Sequence, residues 1–166
     1  MIIREIKESD ALRFLELRKK LDEETQFMLL EAGERTTTVE EQRNIIRNVL
    51  SRDNQIVFVV ESGERLVGFI GGYGGGFRRN KHTVYIVIGI LQNFTGQGIG
   101  TRLFQKLEEW ARSRKLHRLE LTVMTHNKAA IALYRKMGFK IEGLKKHSLF
   151  VNGVYVDEYC MAKLLE

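Results

Sequence analysis

Proline is absent from this chain, and cysteine and tryptophan occur once each in 166 residues. Without proline, glycine turns and polar caps must mark the element boundaries. One thiol, Cys160, cannot close an internal disulfide. Set in the apolar run Tyr159-Cys160-Met161-Ala162, it is expected to be a packed thiol and not a nucleophile. No stretch approaches the roughly 18 consecutive apolar residues of a membrane span. The opening Met1-Ile2-Ile3-Arg4-Glu5 reads as a strand and lacks the charged-then-apolar layout of a signal peptide. A cytoplasmic location without a membrane partner is therefore the expectation. His82, His117, His126 and His147 are scattered without metal-ligand spacing, so no metal is expected. Serine hydrolysis lacks support too, because no Gly-x-Ser-x-Gly elbow is present.

What is present suits one globular domain over residues 1–166, large enough to bury a core unaided. Net charge is +6, from 27 basic and 21 acidic residues, which biases the surface slightly toward acidic ligands. The basic residues form no block and do not interleave with aromatics, so no nucleic acid is expected as a partner.

Along the chain, Ile2 to Ile6 alternates as a short strand and Asp10 stands where it can cap a helix. Residues 23–37 are irregular and acidic, with Phe27 to Leu30 as an apolar insert. Thr38 and Glu41 form a capping box for a helix to about Arg52. Two strands, Gln55 to Glu61 and Arg65 to Gly71, flank Ser62-Gly63 as a hairpin. No helix follows the glycine cluster 71–76, so it reads as a bulged or flexible strand end. Thr83 to Leu91 is a buried-looking strand, and Gly98 to Ser113 is a helix with Ile99, Leu103, Leu107, Trp110 and Ala111 on one stripe. A strand through Leu119, Leu121 and Val123 follows, then a helix from Asn127 to Met137. Two last strands surround Asn152-Gly153, a type I′ turn signal. The order β-α-α-β-β-β-α-β-α-β-β describes a mixed α/β sheet whose strands on either side of the Gly98 helix run parallel.

Within this order, Gln92-Asn93-Phe94-Thr95-Gly96-Gln97-Gly98-Ile99-Gly100-Thr101-Arg102-Leu103 carries the clearest chemistry. A strand, alternating glycines and a helix start bring main-chain N–H groups together on a phosphate. A second segment, Asn127-Lys128-Ala129-Ala130-Ile131-Ala132-Leu133-Tyr134-Arg135-Lys136-Met137-Gly138-Phe139, lies one helix and one strand later. Together they resemble the GNAT superfamily of acyl-CoA-dependent N-acetyltransferases. Thr95 to Gly100 is similar to its Arg/Gln-x-x-Gly-x-Gly/Ala loop, and Asn127 to Phe139 to its Asn-x-x-Ala-x-x-x-Tyr-x-Lys-x-Gly-Phe signature.

This resemblance implies a central sheet of about seven strands, splayed at a cofactor cleft and flanked by about four helices. Acetyl-CoA is the implied co-substrate. Its diphosphate would rest on Thr95, Gly96, Gln97, Gly98, Ile99, Gly100 and Thr101. The pantetheine arm would meet the main chain of Ile88 and Ile90, where Gly89 permits a bulge, and the side chain of Asn127. Tyr134 is the implied catalytic general acid, protonating the thiolate that leaves when an amine attacks the thioester. Two positions depart from the pattern. Thr95 replaces the usual Arg or Gln, with Gln97, Arg102 or Lys106 available to compensate. Tyr85 stands where many relatives carry a Glu base, leaving Glu24, Glu31, Glu34, Asp157 or Glu158 to act through water. The acidic insert 23–34 would border the acceptor entrance, suiting a cationic amine.

The function expected is acetyl transfer to a primary amine of a small molecule, an amino acid, polyamine or similar. The alternatives are N-terminal acetylation of a protein such as a ribosomal protein, and a non-catalytic acyl-CoA sensor. A homodimer is a further expectation, since relatives are often dimers.

Overall fold

In the computed structural model, which describes residues 1–166, seven strands join one mixed sheet. They are β1 (Ile2–Glu5), β2 (Gln55–Ser62), β3 (Arg65–Gly74), β4 (Thr83–Ile90), β5 (Arg118–Met124), β6 (Lys140–Val151) and β7 (Val154–Leu164), in spatial order β1-β2-β3-β4-β5-β7-β6. Four α-helices, α1 (Ala11–Glu24), α2 (Val39–Leu50), α3 (Ile99–Ser113) and α4 (Lys128–Lys136), complete the element order expected from the sequence. Neighbours are antiparallel except β4 and β5, which α3 connects as a parallel crossover. No helix is long and apolar enough to cross a membrane.

Local signals act where the sequence places them. Thr38 Oγ1 accepts from the Glu41 N–H at 3.1 Å while Glu41 Oε1 accepts from the Thr38 N–H at 3.4 Å, fixing the start of α2. Asn152 and Gly153 have φ of 50° and 79°, the two positive values that a type I′ turn requires.

Register and glycine contacts assign the layers. A Cβ on Gly89 would meet Leu21 of α1, whereas one on Gly72 would meet Leu107 and Trp110 of α3. Gly89 pairs with Phe69, three residues from Gly72, so the two glycines open opposite faces. Thus α1 and its neighbour α2 cover one face, and α3 with α4 covers the other. The buried stripe of α3 holds Ile99, Leu103, Leu107, Trp110 and Ala111 as expected, with Phe104 added. Each such apolar side chain taken out of water contributes about 1.5–3 kcal/mol.

Two local expectations are corrected. Asp10 caps no N–H of α1. Its buried carboxylate instead accepts from Arg4, Arg13 and the Lys7 N–H, because three donors converge on it. The glycine cluster is no bulge: Gly71, Gly72 and Gly74 continue the β3–β4 ladder without a register shift. They are small because Tyr73, Leu107 and Asn54 crowd against them.

Candidate active site

β4 and β5 stay paired for only three residues, ending at Tyr85↔Glu120. Beyond that point β4 follows β3 as far as Ile90, and β5 follows β7 as far as Met124. Each strand is held by its outer neighbour, so the inner edges separate and leave main-chain groups without a strand partner. A cleft of about 1080 Å³ opens there. Gly89 contributes no bulge, since its ladder with Phe69 is regular; it is glycine because Leu21 and Phe69 crowd the Cβ position.

At one end, the link from β4 to α3 forms the glycine loop. Gly96 and Gly98 have φ of 75° and 79°, and nothing stands within 4 Å of where their Cβ atoms would lie. The left-handed backbone needs glycine, and the open space admits a ligand close to the main chain. No side chain caps α3, so its first N–H groups remain available along with the positive end of the helix dipole. Gly100 serves packing, because a Cβ there would come within 2.7 Å of Leu133 on α4. Thr95 Oγ1 donates to the Gln92 carbonyl at 2.7 Å, tightening the turn.

Ile88, Ile90, Thr95, Gly96, Gly98, Ile99, Gly100, Thr101, Asn127 and Tyr134 all line this cleft; Gln97 does not. The Gln97 side chain leans back on the Asn93 carbonyl at 3.4 Å, and Arg102 and Lys106 are exposed away from the cleft. Lys136 lines the loop end instead, with Nζ donating to Thr101 Oγ1 at 3.2 Å. It was legible in the Tyr-x-Lys spacing, which places it two residues beyond Tyr134. Asn127 Oδ1 accepts from the Ala130 N–H at 3.3 Å, capping α4 and leaving its amide NH₂ free.

Tyr134 lies between the layers. Its ring meets Phe104 edge-on at 5.6 Å, and it is 7% exposed while still reaching the cleft. Burial, then the nearby Tyr85, pushes its pKa well above the usual tyrosine value. Tyr85 is 40% exposed, and its hydroxyl shares a 3.0 Å hydrogen bond with Thr122 Oγ1 across the opening strands.

Among the five candidate carboxylates, only Glu24 and Glu158 line the cleft. Glu24 accepts from the Gln92 N–H at 2.9 Å and Asp157 from the His147 N–H at 2.8 Å, each on one oxygen. Glu158 accepts from Ser148 Oγ at 2.8 Å on one oxygen, leaving the other free. The 25–30 segment supplies Phe27, Met28, Leu29 and Leu30, and Arg18 and Arg35 line the wall beside them. The insert thus borders the cleft as expected, but of its carboxylates only Glu24 lines it, and its contribution is mainly apolar. No three His, Cys, Asp or Glu side chains cluster closely enough to hold a metal ion.

A parallel pair that parts beside a glycine loop makes a cleft suited to an extended ligand with a phosphate at one end, and comparison with known proteins gives the family. The acetyltransferase (GNAT) family pattern matches residues 14–139, so the chain belongs to that family. An acetyltransferase of the same family from Streptococcus pneumoniae has the same fold, with TM-score 0.95, 31% identity and 99% of each chain covered. L-amino acid N-acetyltransferase AaaT of Escherichia coli is 36% identical over 52% of this chain and 54% of its own length. N-alpha-acetyltransferase RimI of Mycobacterium tuberculosis is 38% identical over 61% of each. The matched region thus spans little more than half the length of these curated relatives.

Proposed function

We propose that the protein is an acetyl-CoA-dependent N-acetyltransferase acting on the primary amine of a small molecule. The observation that carries this reading is the separation of β4 from β5 after Tyr85, which joins the glycine loop, Tyr134 and Glu158 in one cleft. The residues present suit acetyl-CoA. Free N–H groups at Gly96 to Thr101, with Lys136 beside them, would hold the diphosphate, and the unpaired edge at Ile88 and Ile90 with Asn127 would hold the pantetheine amides. Acetyl-CoA supplies an activated thioester carbonyl.

The chain's own groups supply the rest. Tyr134 keeps its proton through neutral pH and offers it to the departing sulfur. Glu158, through water, takes a proton from the incoming ammonium, whose pKa is about 10.4 for a lysine-like amine. Apolar residues Phe27 to Leu30 exclude bulk water around the reacting groups. Residues 1–166 act as one such unit, in the cytosol.

The likeness to RimI favours a second reading, acetylation of a protein N-terminus. A thiol-release assay with acetyl-CoA and a panel of free amines, amino acids and peptides separates the two. Release with small amines is the expected result. Release only with peptides would move the assignment to the second reading, and release with none would leave an acyl-CoA sensor. A homodimer is also proposed, because the β6–β7 hairpin exposes Phe150, Val154 and Tyr155, each 61% accessible. Light scattering giving a monomer at micromolar concentration would refute it.

A further inference from the structure

The wall of the cleft carries a cation without a protein partner. Arg18, on α1, lines the cleft, and its Nε is buried with no hydrogen-bond acceptor. The guanidinium carbon stands 4.7 Å from the centroid of Phe69 and 5.8 Å from that of Phe14. These rings position the group and stabilise it weakly. Asp22 lies one turn along the same helix, the spacing at which a salt bridge to Arg18 would form. The fold gives Asp22 to Arg35 instead, by Nε to Oδ2 at 2.8 Å and Nη2 to Oδ1 at 3.1 Å. Both carboxylate oxygens of the buried Asp22 are therefore taken.

Arg35 thus holds the carboxylate within reach of both guanidinium groups, which leaves Arg18 without a hydrogen-bonded acceptor. Burial, then Arg35, disfavours charge on Arg18, and the nearby Asp22 offsets this only in part. An anion bound there would supply the missing acceptor and form a charge-assisted pair in a partly dry site. Glu24 and Glu158 line the same cleft with the opposite sign, and Glu158 keeps one carboxylate oxygen without a partner. A cation site and an anion site in one cleft of apolar walls match a zwitterion with an uncharged side chain.

We propose that Arg18 binds the carboxylate of a free α-amino acid acceptor, directing its amine toward Glu158 and the opening between β4 and β5. This rests on the acetyl-transfer reading above and adds the substrate class. A peptide N-terminus has a neutral amide where the amino acid has its carboxylate, so the same feature disfavours peptides.

The test compares L-methionine, L-leucine and L-phenylalanine with their carboxamides, their decarboxylated amines and amidated dipeptides. Each is measured by thiol release and, with the CoA-bound enzyme, by calorimetry. The expected result is a preference for the acid of about 10- to 100-fold in kcat/KM or affinity. Arg18→Met should bring that ratio close to one while amide turnover persists, and Arg18→Lys should restore part of it. Equal use of acids and amides by the unaltered protein would overturn the proposal without any variant. So would a preference for dipeptides, or an acid preference that Arg18→Met leaves intact. Acid-selective binding without thiol release would keep Arg18 in this role and remove the transferase reading.

Discussion

Tyr134→Phe removes one oxygen from an aromatic that the fold uses on several sides. The ring packs against Phe104 at 5.6 Å and Phe139 at 6.3 Å, and the Tyr134 carbonyl accepts from the Phe139 N–H at 2.9 Å. None of these contacts needs the hydroxyl. Stability should therefore move by less than about 1 kcal/mol, a shift in Tm of a few degrees at most. Rate is a separate matter. A positioned general acid contributes about 10²- to 10⁴-fold, or about 2.7–5.4 kcal/mol of barrier. Burial and then Tyr85 raise the phenol above its usual value of about 10, whereas a thiolate lies near about 8.5. Proton transfer to sulfur is thus uphill, which favours the lower part of that range, about 100- to 1,000-fold. Thiol release with both substrates saturating measures kcat, while calorimetry and thermal melting check CoA affinity and folding. The raised pKa adds a constraint on pH dependence. Turnover should climb with pH as the acceptor amine loses its proton, with no fall below about pH 10 owing to Tyr134. A folded variant within about threefold of the original kcat would refute the argument. So would a falling limb near pH 8 that the substitution abolishes.

Three further outcomes follow from the same geometry. Thr95→Arg restores a long donor beside the glycine loop and should tighten CoA binding by about 3- to 10-fold, and calorimetry without a gain would place Thr95 away from the diphosphate. Glu158→Gln should lower kcat/KM by about 10- to 100-fold at pH 7 and much less at about pH 11, where most of the amine is already free; an equal loss at both would rule out the base. Asp10 is 1% exposed, and although burial raises its pKa, hydrogen bonds from Arg4, the Lys7 N–H and Arg13 more than reverse the effect and hold it well below the usual range. Its stabilisation is therefore complete above the unfolded value of about 3.9 and declines as pH falls below it. Asp10→Asn should cost about 2–4 kcal/mol in urea unfolding at pH 7. That gap should narrow between about pH 4 and pH 2, and a gap unchanged by acid would refute the pairing.

What was legible in the sequence divides by the range of the interaction involved and by competition for a partner. The capping box at Thr38, the Asn152-Gly153 turn, the glycine loop and the parallel crossover through α3 all depend on neighbours within a few residues or one supersecondary unit, and each stands where spacing put it. Gly89 was misread because Leu21 reaches it from far along the chain, whereas Asp10 was misread at short range, where Arg4, Lys7 and Arg13 compete for its carboxylate. Asp10 looks like a cap until Arg4 and Arg13 converge on it. Gly89 looks like a bulge until Leu21 of α1 crowds its Cβ position. The insert reads as acidic, yet it lines the cleft mainly through its apolar residues Phe27 to Leu30, with Glu24 alone of its carboxylates. Arg18 shows the same rule at the site itself. Helical spacing would pair it with Asp22, and that pairing would leave Arg35, not Arg18, as the unpartnered cation on the cleft wall. Only the choice of Arg35 by Asp22, across a loop, frees the guanidinium and turns a structural pair into a place for a ligand. Which arginine is left without an acceptor is therefore decided by competition among side chains for one carboxylate, which spacing along a helix does not record.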